Sequence, residues 1–176
     1  MPDISLLIPP ALRPWLLVAF VVLFLVVGKA MTNITASVEP KPIWLEFPWT
    51  QRGADEILCG WDDTAKAKVR KNLTLDFLFI MAYVGAFIVA GAMASGALGA
   101  APWVVAAITW VAITAGLLDV CENIGQFAML AGQRGPVWSL LTSVCATLKF
   151  LLLTIAAIYV LCGLVAAVIH FFRHQP

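Results

Sequence analysis

Four ionisable residues, Asp76, Asp119, Glu122 and Lys149, stand at or inside the ends of long apolar runs. An apolar segment does not need such side chains to pack. In or near lipid a charge is costly, is paired as a rule, and marks a functional site by default. Carboxylates gathered around one ammonium support two kinds of chemistry. They can lock helices in register through a buried ion pair, where losing one partner strands the other at about 3–5 kcal/mol. Where the carboxylates outnumber the cation, they form a polar cleft for a headgroup, a cation or a proton.

Turn positions put these residues at one depth. Gly132-Gln133-Arg134-Gly135-Pro136 is a tight connection centred near Arg134. Reflecting the chain about it carries position 119 onto 149. Reflection about the turn at Ser95-Gly96, Gly99 and Pro102 carries position 76 onto roughly 121. Lys29, near the end of the first apolar run, is expected close to the same level.

The faces agree with the depths. Asp119, Glu122, Asn123 and Gln126 follow i, i+3, i+4, i+7 spacing and make one polar stripe, which Thr109, Ala112 and Gly116 extend with small residues. Asp76 and Tyr83 share a face of the preceding helix, and Thr142, Cys145 and Lys149 share one on the following helix. Three polar faces on neighbouring helices should converge on the bundle interior, since the other choice is lipid. In the structural reading Lys149 neutralises Asp119, and Asn123, Gln126 and Tyr83 satisfy the remaining hydrogen bonds. In the functional reading the surplus carboxylates hold a ligand.

The elements that must position this layer follow from composition. Of 176 residues, 62% are hydrophobic and 12% charged. A soluble domain sits near half and about a quarter, so the chain reads as an integral membrane protein. A net charge of +1 leaves no nucleic-acid footprint. Four apolar runs are long enough to span a bilayer at about 20 residues each. They predict transmembrane helices over residues 14–31, 73–95, 102–131 and 137–172. The expected fold is all-α: a four-helix transmembrane bundle with an amphipathic interfacial segment between helices one and two, in a single membrane domain of residues 1–176. Ala82, Ala86 and Ala90 recur at helical spacing and predict close helix packing.

The long connection, residues 32–72, carries Trp44, Phe47 and Trp49 as interfacial aromatics. Trp61, Trp103 and Trp138 are read as further interfacial anchors. Residues 51–61 predict an amphipathic helix with Ala54, Ile57, Leu58 and Trp61 on one side. Asp62 or Asp63 is the expected N-cap of the next segment. Lys41, Arg52, Lys66, Lys68, Arg70 and Lys71 lie in this connection, with Lys29 and Arg134 on the same side. The positive-inside rule then makes the connection cytoplasmic and both termini external, in the inner (plasma) membrane. Counting apolar residues places the charged layer near the cytoplasmic boundary. Beyond it Phe127, Leu130, Trp138 and Leu141 are expected to pack under the connection as a small cap. The alternative is a shorter or tilted bundle with the charges fully immersed.

Several classes of chemistry have no sequence support. Cys59, Cys121, Cys145 and Cys162 show neither a CxxC pair nor zinc spacing. His170 and His174 form an i, i+4 pair without further ligands. GxSxG, HExxH and a Gly-rich phosphate loop are missing from the chain. No catalytic residue, metal or cofactor is therefore assigned, although lipid or pigment can lie between the apolar faces. Three functions remain in view. The first is a non-catalytic accessory or assembly subunit of a larger membrane complex. The second is a lipid-binding or lipid-modifying protein that uses the charged layer on a headgroup. The third is a transporter or proton relay, disfavoured because neither internal repeats nor broken helices are evident. The expected partners are membrane lipids and other membrane subunits or further copies of the chain, not nucleic acid.

Leu75-Asp76-Phe77-Leu78-Phe79 with Tyr83, Leu118-Asp119-Val120-Cys121-Glu122-Asn123 and Lys149-Phe150 resemble a pattern in uncharacterised bacterial four-helix membrane proteins. Glu46-Phe47, Ile57-Leu58 and Trp61 are similar too. The resemblance covers most of residues 40–155. It implies a fold and no activity.

Overall fold

The computed structural model describes residues 8–173. Five α-helices follow one another: α1 (Arg13–Thr35), α2 (Gln51–Cys59), α3 (Asp63–Leu98), α4 (Pro102–Leu130) and α5 (Pro136–Arg173). Short 3-10 turns, Pro10–Leu12 and Pro42–Glu46, precede α1 and α2 respectively. No strand is present among the described residues. α1, α3, α4 and α5 are long and apolar enough to cross a membrane, which fits a multi-pass membrane protein.

Local chemistry sets the boundaries. Pro102 and Pro136 open α4 and α5, where a missing N–H costs nothing. Gly99 closes α3 at φ +62°, a conformation that a residue with a Cβ adopts at a cost. Asp62 is the N-cap of α3, its carboxylate accepting from Ala65 N at 2.7 Å. The helix therefore starts ten residues before the expected position 73. Lys66, Lys68, Arg70 and Lys71 belong to a continuous helix rather than to a separate approach. Alanine, lysine and arginine after a good cap favour this extension.

α3, α4 and α5 form the packed trio, and α1 lies along α3. Small residues allow the close approaches. Ala82, Ala112, Ala115, Ala146 and Ala156 are fully buried, whereas Ala86 and Ala90 are half-buried. A Cβ on Gly116 would sit 2.7 Å from Val84. One on Gly163 would collide with Ala94, and one on Gly125 with Thr142 Oγ1. Lipid offers no hydrophobic drive between helices, so such shape matching carries the association. The outer faces of α1 and α5 are large and apolar: Val27 is the one buried residue of α1.

The expected cap is present at the connection end. Val38, Leu45, Ala54, Trp61, Val69, Leu73, Met129 and Leu130 form one buried cluster, with Ile57, Leu58, Phe127 and Trp138 packed against it. Leu141 points away and is exposed. Trp61 corrects another expectation. It is 2% exposed, its Nε1 donates to Pro40 O at 2.7 Å, and it is a core residue rather than an interfacial anchor. Trp138 is only partly exposed, whereas Trp44, Trp49 and Trp103 project outward. Polar ties fasten the cap. Trp49 N donates to Ser143 Oγ at 2.9 Å, and Gly135 N to Gln51 Oε1 at 2.7 Å. Arg70 donates to Leu130 O, one of the carbonyls that the last turn of α4 leaves free, at 2.7 Å.

Candidate functional site

Lys149 is the hub of the charged layer. It rises from the middle of α5 and is 6% exposed. Its Nζ lies 2.9 Å from Asp119 Oδ1 and 2.7 Å from Glu122 Oε2, both on α4. These two carboxylates are one turn apart, so a single ammonium reaches both. Their other oxygens are also occupied. Tyr83 OH donates to Asp119 Oδ2 at 2.9 Å, and Gln126 Nε2 donates to Glu122 Oε1 at 2.9 Å. Asn123 Nδ2 reaches across to α3 and donates to Asp76 Oδ2 at 2.6 Å. Of the expected residues, Tyr83, Asp119, Lys149, Glu122 and Gln126 thus form one connected network, and Asp76 and Asn123 form a separate pair that lines the same cleft. Thr142 and Cys145, on the face of α5 that bears Lys149, are buried with it. Lys29 does not join them. It is exposed and forms no ion pair with these carboxylates, because α1 turns that position outward from α3.

Two participants escaped the sequence reading. Glu46 ends the Pro42–Glu46 turn and brings its Oε2 to 3.8 Å from Lys149 Nζ. Asn72 sits one helical turn before Asp76 on α3. Glu46 Oε2 and Asn72 Oδ1 are buried and have no hydrogen-bond partner. A signal for Glu46 existed: an acid inside the aromatic stretch Ile43-Trp44-Leu45-Glu46-Phe47. Burial pushes the Glu46 carboxyl up to about 7; Lys149 opposes the rise, and Asp119 and Asp76 add to it.

The network opens into a cleft of about 580 Å³. α1 contributes Phe24, Gly28, Met31 and Thr32, and α5 contributes Lys149, Phe150 and Leu153. Phe79, Tyr83 and Phe87 of α3 line it between them, and Glu46 and Asn72 stand at its polar end. Farther along the same helices a second, apolar groove of about 180 Å³ lies between Leu17 of α1 and Gly163 and Ala167 of α5, against Ala90 and Ala94 of α3. From Asp76 to Leu98 is roughly 33 Å at 1.5 Å per residue, close to one hydrocarbon thickness.

Among the described residues no group of three or more His, Cys, Asp and Glu is arranged to hold a metal ion. His174 lies outside the described residues. No family model, curated protein or solved structure matches the chain.

Proposed function

We propose that this membrane protein binds one amphiphile from the surrounding lipid in the cleft between α1 and α5. The polar end meets the layer around Lys149, and the apolar part lies against Phe24, Phe79, Phe87 and Leu153. The observation that carries this reading is the continuity of one cavity from buried charges to aromatic walls. Ligand pockets are typically apolar with a few placed polar groups, in volumes of about 300–1,000 Å³. Asp119, Glu122 and Lys149 are held by their own partners, so they act as a rigid rim. The accessory-subunit reading rests on small size and missing catalytic motifs, and the cleft moves the preference to lipid binding.

The test is native mass spectrometry on protein purified in nonionic detergent. Wild type should retain one lipid per chain. Thr32→Trp and Leu153→Trp, which fill the cleft from opposite walls, should lose it while remaining folded. Wild type free of lipid, or filled variants that still carry it, would overturn the proposal. A stoichiometric protein partner on a lipid-free chain would restore the accessory-subunit reading.

A further inference from the structure

We infer that the polar end of the occupant is a primary ammonium group, received by Glu46, Asp76 and Asn72. This deepens the lipid-binding reading above and rests on it. Four carboxylates line the cleft, Glu46, Asp76, Asp119 and Glu122, against one cation, Lys149. Asp119 has both oxygens hydrogen-bonded, to Lys149 and Tyr83, and Glu122 has Oε1 bonded by Gln126 and Oε2 in an ion pair with Lys149 at 2.7 Å. Lys149 is consumed in the same pairs. Two carboxylates keep spare capacity. Asp76 meets Asn123 through Oδ2 alone. Glu46 Oε2 is buried without a hydrogen-bond partner and lies 3.8 Å from Lys149 Nζ. Asn72 Oδ1, buried beside them, is a further acceptor without a donor.

A cavity that offers surplus acceptors and negative charge selects a ligand with N–H donors and positive charge. A phosphate or carboxylate placed there would meet unpaired acceptors, which disfavours anionic headgroups. A primary ammonium carries three N–H donors for three acceptors. A quaternary ammonium has the charge but no donor. Phe79 and Phe24 stack at 4.5 Å between ring centroids and add an aromatic wall beside the polar end, suited to the first methylenes of a chain. The ionised state of Glu46 matters for this. Lys149 on α5, Asp119 and Glu122 on α4 and Asp76 and Tyr83 on α3 line the cleft with it, Lys41, itself paired with Glu39 at 2.6 Å, lines an adjoining groove with Glu46 and Asn72, and none of the α1 residues in the cleft titrates. Its carboxyl, held near 7, becomes a full anion as pH rises past that value, so ammonium binding should strengthen from pH 6 to pH 8.

The experiment measures binding of four probes to purified protein in nonionic detergent at pH 8: dodecylamine, dodecyltrimethylammonium, dodecanol and ethylamine. The first should bind at least about tenfold more tightly than the other three. Glu46→Gln and Asp76→Asn should each weaken dodecylamine by about tenfold and leave dodecanol unchanged. The outcomes separate the claims. Dodecanol binding as tightly as dodecylamine, in a manner abolished by Thr32→Trp, overturns the ammonium assignment and leaves the lipid cleft standing. Equal binding of dodecyltrimethylammonium also overturns it, since the site would then read charge without N–H donors. Ethylamine matching dodecylamine points to a soluble amine and overturns the membrane source. Binding of none of the four, with no lipid retained by wild type, overturns both readings.

Discussion

Lys149 Nζ and Asp119 Oδ1 lie 2.9 Å apart on helices that face each other across the Gly132–Gly135 turn. Both side chains are almost fully removed from the surface. An ion pair at this depth is weak evidence of stability, because desolvation offsets attraction. Breaking it from one side is another matter.

Lys149→Met leaves Asp119 and Glu122 facing each other without a cation. The variant should unfold more easily by about 3–5 kcal/mol in detergent denaturation. Asp119→Asn with Lys149→Met should recover part of that loss, read as a coupling energy in a double-mutant cycle. A purely structural layer predicts that the double variant regains lipid retention along with folding. A layer that also orients the occupant predicts a folded double variant with an empty cleft.

Glu46 gives a pH dependence of defined sign. Its carboxyl is raised from 4.5 to about 7 in the folded protein. Between these values the folded chain holds a proton that the unfolded chain has released. Stability therefore falls as pH rises from about 4.5 to 7, by about 3 kcal/mol at most. Glu46→Gln should flatten this part of the profile and be more stable than wild type above pH 7. Matching profiles for the two proteins from pH 4.5 to 8 would contradict the burial of Glu46. A carboxylate that costs stability at neutral pH is what a binding site retains, not what a scaffold needs.

Gly125 and Gly96 make a controlled pair. A Cβ at Gly125 collides with Thr142 Oγ1 and comes within 3.4 Å of Trp138 O, whereas one at Gly96 meets nothing within 4 Å. Gly125→Ala should destabilise the α4–α5 hairpin by about 1–3 kcal/mol. Gly96→Ala, in the last turn of α3, should be neutral or mildly stabilising. Thermal unfolding of both variants decides this.

Orientation has its own test. The concentration of Lys and Arg at the cap end predicts that this end faces the cytoplasm. A cysteine introduced at Lys66 should resist a membrane-impermeant thiol reagent in intact cells, and one at Trp103, exposed at the start of α4, should react. The reverse pattern would invert the topology.

The helices and the Lys149 network were legible for the same reason. Tight turns convert sequence distance into depth, and 3.6-residue spacing converts it into direction. Reflection about Arg134 pairs Asp119 with Lys149. No such reflection places Glu46. It reaches the layer through a connection whose path depends on how Trp61, Leu45 and Val38 bury together at the cap, and no helical period describes that path. Trp61 misled for a related reason. An aromatic near a membrane boundary reads as an anchor, but Trp61 is buried in the cap cluster with Leu45, Ala54, Val69 and Met129. Lys29 stands near the expected depth, since Gly28 beside it lines the cleft, but its direction is outward, and the uniformly apolar sequence of α1 does not fix which side meets α3.

The sharing of Lys149 between Asp119 and Glu122 also constrains biogenesis. The carboxylates lie on α4 and their cation on α5, so α4 leaves the ribosome first without its counter-ion. Released alone into lipid, it would expose two uncompensated acids. Insertion of α4 and α5 together as one hairpin, which their short turn permits, would pair the charges as they enter. Glu46 is synthesised earlier still but has no Lys149 to approach until that hairpin is in place. The cleft is thus complete only once Lys149, Phe150 and Leu153 of α5 have joined the residues of α1 and α3 that line it.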